Sequence, residues 1–296
     1  LSFKRGDNES YLYNDIIKLD YKAEFKNNFA LTAGLSKWRQ KPAGIIQYLV
    51  IPEQGTPYLV HELNTTEASI GFRWAPKEEF YQGKLYRTPI FNKYPIFTFN
   101  YTAGLKGFMG GENNYHNFSA GVFKRFYLSQ LGFADINLDG TYIVGQNIPY
   151  PLLTIHRANQ TYAYQLNSYN LMNFMEFISD HHAAMNIQYY MNGFLLNKIP
   201  LIRKLQWREV FSFKAIYGGL RQENNPTYNK EVYQWQTNDE GAISSFAFTD
   251  KPYMEASIGL SNIFKILRVD YVRRLNYLDQ PNVPNWGIRA RFKFDF

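Results

Sequence analysis

Hydrophobic and polar residues alternate along most of the chain, and the period of the alternation is two. Within residues 15–25, apolar side chains stand at the odd positions from 17 onward and charged side chains stand at the even positions from 18 onward. Only a β-strand directs these two sets to opposite faces, because a helix would spread the charges around its whole circumference. The apolar set is Ile17, Leu19, Tyr21, Ala23 and Phe25, and the charged set is Lys18, Asp20, Lys22 and Glu24.

The same alternation recurs to the end of the chain and predicts about eleven strands. They cover residues 15–25, 29–40, 66–74, 95–104, 115–128, 133–144, 173–192, 205–218, 253–260, 266–276 and 287–296. Residues 173–192 keep one phase throughout, which predicts a single long strand there. Residues 1–5 have the pattern of the end of an earlier strand.

The connections between the predicted strands are mostly short at one end of the sheet and long at the other. The short ones are residues 27–28, 129–132 and 261–265, and the long, polar ones are 41–64, 145–172, 219–251 and 278–286. Two connections at the short-turn end, 75–94 and 193–204, are longer than the other turns at that end. Short turns on one side and long loops on the other are typical of outer-membrane β-barrels.

A soluble β-sandwich also alternates apolar and polar residues, but its strands average about five or six residues. Many of the strands predicted here are long enough to cross the hydrocarbon core of a membrane, which takes about 9–11 residues. The mean hydropathy of −0.40 fits a barrel that alternates lipid-facing and lumen-facing side chains. We therefore predict an all-β fold, an antiparallel transmembrane β-barrel, located in the bacterial outer membrane.

Composition and charge narrow the possible functions. The chain has 18% aromatic and 19% charged residues, and it has no cysteine. The absence of cysteine excludes disulfides, thiolate metal sites and a thiol nucleophile within this chain. The net charge of +7 is spread along the strands without a basic stripe, which favours contact with lipopolysaccharide and lipid over nucleic acid.

The sequence predicts one domain, 1–296, that lacks its N-terminal strands and any periplasmic domain. Bacterial barrels have even strand numbers and no open edge, so an odd count requires strands upstream of residue 1. The alternative is a miscount by one, with twelve strands closing alone. The final strand is predicted to close the barrel, with its outward aromatic residues at Phe292, Phe294 and Phe296.

Three segments carry a resemblance to a known family: residues 151–159 (PLLTIHRAN), 170–180 (NLMNFMEFISD) and 192–209 (NGFLLNKIPLIRKLQWRE). They resemble the C-terminal barrel of a Bacteroidota outer-membrane family of unknown function, whose members carry an N-terminal carboxypeptidase-regulatory-like domain. That barrel is similar to the BamA/TamA superfamily of assembly factors. The resemblance implies a barrel of about 16 strands, of which 11–12 are in this chain.

In the assembly-factor superfamily, a long loop with an Arg-Gly-aromatic tip folds into the lumen and five strands follow it. The resemblance places this loop at residues 145–172, ahead of five predicted strands, with Arg157 at the tip. Ala158 stands where the superfamily has glycine, and the nearest following aromatic residue is Tyr162.

An arginine in the lumen needs a carboxylate partner, because an unpaired buried guanidinium is costly. We predict that Arg157 pairs with Glu176 and Asp180, which would face inward on the following strand and lock the loop. The alternative is an exposed loop arginine. His182 lies on the same predicted face as Asp180, so the pair is either a hydrolase dyad or part of a hydrated lumen network.

The sequence therefore predicts a non-enzymatic outer-membrane protein without cofactor or metal. It would act in outer-membrane protein biogenesis, export or surface organisation, in a complex with other outer-membrane or periplasmic proteins. The two alternatives are a passive channel for small solutes and an outer-membrane hydrolase.

Overall fold

The computed structural model describes residues 10–90, 93–237 and 241–292. Eleven strands form one antiparallel sheet in which each strand pairs with the next along the chain. The strands are β1 (Ser10–Glu24), β2 (Phe29–Gly44), β3 (Leu63–Trp74), β4 (Ile96–Gly104), β5 (Tyr115–Tyr127), β6 (Phe133–Val144), β7 (His181–Tyr190), β8 (Arg208–Gly219), β9 (Tyr253–Ile263), β10 (Leu267–Arg274) and β11 (Trp286–Phe292). The eleven predicted strands are thus confirmed, and so are the five strands after the long loop.

The remaining elements are small. Three two-stranded pairs lie outside the main sheet: Tyr48–Val50 with Tyr58–Val60, Phe80–Gln82 with Arg87–Pro89, and Thr154–Ile155 with Ile178–Ser179. Helix α1 (Pro200–Leu205) connects β7 to β8, and four short 3₁₀ turns complete the set: Ser129–Leu131, Tyr150–Leu152, Leu196–Lys198 and Gln222–Asn224. Within the described ranges, none of the helices has the length and apolar character that a membrane crossing requires.

The two faces of the sheet differ in chemistry, as the period of two predicts. We call the face that packs against residues 145–180 the inner face. Charged residues of β8–β10 are buried there, including Lys214, Glu255, Asp270 and Arg274. The opposite, outer face carries exposed large apolar side chains, among them Leu138, Tyr217, Ile258, Tyr271, Ile288 and Phe292.

The predicted strand over residues 173–192 is wrong in its first half. Strand β7 begins at His181, and residues 173–177 lie outside any strand. Met175, Glu176 and Phe177 are all buried, because this stretch passes between the sheet and the loops that cover it. Alternation of apolar and polar residues is the same in a segment that is covered on both sides and in a strand that has one apolar and one polar face. The pattern therefore does not distinguish the two.

The sheet is open in the part of the chain that the structure describes. Its edges are β1 and β11, and no pairing within residues 10–90, 93–237 and 241–292 joins them. The predicted closed barrel is therefore not present in these residues. Phe292 is exposed at the end of β11, opposite Leu267. The strand remnant predicted at 1–5 and the residues Phe294 and Phe296 lie outside the described residues.

Candidate functional site

The segment between β6 and β7, residues 145–180, covers the inner face, and we call it the internal segment. Both of its ends pack into an apolar cluster with residues of β3, β5 and β6 and with the loops at that end of the sheet. The contributing residues of the internal segment are Ile148, Tyr150, Leu153, Met175 and Ile178. Burial of these apolar side chains is the hydrophobic contribution that holds the internal segment against the sheet.

Two charged residues on neighbouring strands anchor the middle of the internal segment through its backbone. Glu255 on β9 accepts hydrogen bonds from the backbone N–H groups of Asn170 (2.8 Å) and Leu171 (2.7 Å). Lys214 on β8 donates from Nζ to the carbonyls of Gln165 (2.8 Å) and Ser168 (2.5 Å). Backbone N–H and C=O groups of the internal segment that lie outside helices and strands therefore hydrogen-bond to charged side chains in place of water.

A buried ion pair joins the internal segment to β10. Arg274 donates from Nη2 to Oε1 of Glu176 at 2.6 Å and from Nη1 to Oε2 at 3.1 Å. Both side chains are at most 2% exposed. The guanidinium also donates to the carbonyls of Asn276 and Tyr277, so this pair ties the internal segment to the loop between β10 and β11.

A second buried carboxylate, Asp180, connects three strand ends. Its Oδ2 accepts from Nε of Arg221 (2.8 Å), from the Arg221 backbone N–H (3.1 Å) and from Asn224 (3.1 Å). Its Oδ1 bonds Nδ1 of His181 at 2.7 Å. Arg221 in turn donates to the carbonyl of Ile143 at 2.5 Å, which links the ends of β6, β7 and β8.

The predicted pairing of Arg157 with Glu176 and Asp180 is wrong. The two carboxylates are as buried as expected, but their partners are Arg274 and Arg221. Arg157 is exposed, and within the described ranges it takes part in none of the ion pairs. Its backbone carbonyl accepts from the N–H of Tyr169 at 2.8 Å, so the contribution seen here is a backbone bond in the parallel bridge between Ala158 and Tyr169.

A polar cavity of about 710 Å³ remains between the internal segment and strands β4–β8. Arg157, His182, Asp139, Asn100 and Asn186 are among the residues that line it. Within the described residues, no group of three or more His, Asp or Glu side chains is arranged to hold a metal ion.

The predicted dyad of Asp180 and His182 does not form. Asp180 bonds His181 and Arg221, while Nε2 of His182 lies 3.8 Å from Asp139. A different histidine, His156, is hydrogen-bonded through Nε2 to Ser179 at 2.9 Å. Burial, assisted by the neighbouring His182, lowers the pKa of His156 well below its ordinary value of 6.5. His156 is therefore neutral near pH 7, and the fully buried Ser179 is closed to a substrate.

No pattern in the sequence indicates the true anchors of the internal segment. Arg221, Glu255 and Arg274 stand in ordinary inward positions of a polar face or in a loop, and their partners lie 41 to 98 residues away along the chain. The alternation in β10 placed its charged residues on one face, but which of these charges meets the internal segment depends on how the strands stagger in the sheet.

The family described as "Family of unknown function (DUF5686) C-terminal domain" matches residues 2–233. This chain belongs to that family. No curated protein matches the sequence of this family member. Among solved structures, the DUF5686 domain is similar to BamA from Haemophilus ducreyi lacking POTRA domains 1–3, with a TM-score of 0.54 and 11% sequence identity. The match covers 95% of this chain and 54% of that one, so the chain spans about half the length of the BamA structure. The shared feature is the fold.

Proposed function

We propose that the protein is an integral outer-membrane β-barrel protein that acts, without being an enzyme, in outer-membrane protein biogenesis, export or surface organisation. Its environment is lipid and lipopolysaccharide, and it works in a complex with other outer-membrane or periplasmic proteins. Support for the membrane comes from the exposed apolar outer face, which matches a lipid-facing band, and from the BamA-like fold.

The observation that carries the proposal is the combination of a covered inner face and an exposed apolar outer face. The internal segment is fixed to the inner face by buried ion pairs and charged hydrogen bonds, which disfavours solute passage and a catalytic cleft. The mechanism we infer is that the barrel wall, or the seam between its first and last strands, templates a strand of another protein.

A passive channel for small solutes is the second candidate. The polar cavity of about 710 Å³ beside the internal segment favours it, since it holds enough space for a small hydrated solute. This candidate requires the cavity to extend through the protein.

Depletion of the full-length protein in its own bacterium tests the proposed role. We expect several outer-membrane β-barrel proteins to decrease in the membrane fraction and to accumulate unfolded in the periplasm, as measured by quantitative mass spectrometry. Cells that express an unrelated outer-membrane barrel at the same level serve as the control. Unchanged membrane levels of all such proteins, with loss of solute uptake instead, would contradict assembly and favour the channel.

A further inference from the structure

The three most exposed large apolar side chains among the described residues lie at one end of the sheet. Leu85 is 93% exposed, Phe264 is 84% exposed and Leu201 is 79% exposed. They stand in the connections β3–β4, β9–β10 and β7–β8, each of which joins an odd-numbered strand to the next strand. Because the strands are antiparallel and pair in chain order, these connections share one end. We call Leu85, Leu201 and Phe264 the apolar tips.

Basic side chains accompany the apolar tips. The three connections, residues 75–95, 191–207 and 264–266, contain eight lysines and arginines but only two acidic residues, Glu78 and Glu79. Glu78 is already paired with Arg73 of β3. The eight basic residues are Lys77, Lys84, Arg87, Lys93, Lys198, Arg203, Lys204 and Lys265. This end of the sheet therefore carries an excess of positive charge beside its most exposed apolar side chains.

Helix α1 presents Leu201 next to the β9–β10 turn. Asn262 at the end of β9 donates from Nδ2 to the carbonyl of Gln206 at 2.8 Å, which joins the β7–β8 connection to its neighbour. Leu205 lies four residues after Leu201 and therefore on the same face of the helix, and it too is exposed. The helix thus offers an apolar stripe that no part of the described chain covers.

The β9–β10 turn has an unfavourable residue at its tip. The N–H of Ile266 donates to the carbonyl of Ile263 at 3.2 Å, and the two residues between them, Phe264 and Lys265, have φ angles of 49° and 68°. A tight turn with positive φ at both central residues favours asparagine and glycine. Phenylalanine is therefore not suited to the turn, nor is it suited to water, and a contact outside the described chain accounts for both.

We infer that the apolar tips and the basic residues beside them form an interfacial anchor, which seats this end of the protein on a surface of anionic phospholipid. This inference rests on the proposed function, because it requires the protein to lie in a membrane. Apolar side chains flanked by lysine and arginine are typical of segments at the headgroup level of a bilayer. There the apolar groups enter the acyl boundary and the cations meet lipid phosphates.

The spread of the apolar tips favours a lipid surface over a protein partner. The β3–β4 and β9–β10 connections are six strand spacings apart, which is roughly 29 Å along the sheet. A bilayer meets all connections at one end of a membrane-spanning sheet at a similar depth, whereas a protein partner needs one contiguous patch. The exposed apolar residues Ile258 and Tyr271 of the outer face, which are paired across β9 and β10, also continue toward the β9–β10 turn.

Depth-dependent fluorescence quenching in the full-length protein tests the anchor. Residues 1–296 contain no cysteine, so L85C, L201C and F264C each carry one nitrobenzoxadiazole dye, whose emission moves to shorter wavelength when it leaves water. The vesicles are phosphatidylcholine with or without phosphatidylglycerol, and they contain lipid with a nitroxide quencher either near the headgroup or deep in the acyl chain. The reference positions are I258C on the outer face and Y228C in the connection β8–β9, both exposed.

We expect the dyes at the three apolar tips to emit at shorter wavelength than the dye of Y228C and to lose intensity to the shallow nitroxide. The loss is expected to increase with phosphatidylglycerol. In the F264C protein, K198Q/K204Q/K265Q is expected to abolish that increase. The matched control K106Q/K230Q/K251Q, which changes three exposed lysines at the other end of the sheet, is expected to retain it.

Four outcomes overturn the inference. Water-like emission at the tips, with I258C quenched by the deep nitroxide, excludes the anchor and leaves the membrane location standing. Short-wavelength emission without quenching shows that protein covers the tips. An equal response of the two triple-lysine variants to phosphatidylglycerol excludes recognition of anionic lipid. Absence of quenching of I258C by the deep nitroxide contradicts the proposed membrane location, and the anchor falls with it.

Discussion

Replacement of Arg274 by methionine is expected to destabilise the protein by about 3–5 kcal/mol, because it leaves the buried Glu176 carboxylate without its partner charge. Arg274 bonds both oxygens of Glu176 and two carbonyls of the following loop. The side chain of Arg274 is 0% exposed, so water cannot replace these contacts. The free energy of unfolding is measured by urea titration of the full-length protein in detergent micelles.

The matched control is Arg273→Met, the same change one residue earlier. Arg273 is exposed, so its replacement is expected to cost under about 0.5 kcal/mol. The double variant Arg274→Met with Glu176→Met removes both charges and is expected to recover much of the loss, because a buried pair replaced by apolar residues is often close to neutral. Equal losses for Arg274→Met and Arg273→Met would show that the ion pair does not hold the internal segment.

Replacement of Asp180 by alanine is expected to have a similar effect, about 3–5 kcal/mol, centred on a different part of the molecule. Asp180 is fully buried and accepts hydrogen bonds from Arg221, Asn224 and His181. Its loss leaves the Arg221 guanidinium with only the partly exposed Glu223, at 3.3 Å, and removes the buried carboxylate from the junction of β6, β7 and β8. We expect faster proteolysis within residues 220–252, together with a lower unfolding free energy.

Asp139→Ala provides the comparison for Asp180→Ala. The Asp139 side chain is 47% exposed, and Nε2 of His182 lies 3.8 Å from its Oδ2. An exposed pair of this kind contributes about 0–1 kcal/mol. If Asp139→Ala destabilises the protein as much as Asp180→Ala does, burial of the carboxylate is not what makes Asp180 important.

The fold was readable from the sequence to a large extent, because a period of two specifies both the strands and their two faces. All eleven predicted strands exist, and the polar positions of β6, β7, β10 and β11 face inward as their phase indicated. The exception is residues 173–180, where Met175 and Phe177 alternate with polar residues as in a strand but are buried by packing on both sides. A period of two shows only that neighbouring residues differ in polarity. It does not show whether their side chains are buried on one side of the chain or on both.

The site was readable only in part, because ion pairs depend on contacts between distant parts of the chain. Glu176 and Asp180 were predicted to face inward from a strand; both are buried, but they belong to the internal segment itself. Arg157 was assigned to them because of its position in the loop, whereas their partners, Arg274 and Arg221, come from β10 and from the loop after β8.

Planar-bilayer recording tests the central claim, that the internal segment covers the inner face and closes the protein to solutes. The full-length protein is compared with a variant in which residues 157–171 are replaced by a Gly-Ser linker, which removes the anchors to Lys214 and Glu255. We expect no steady conductance from the unmodified protein and stepwise openings from the variant. Steady single-channel conductance of the unmodified protein, equal to that of the variant, would contradict the account and establish the channel.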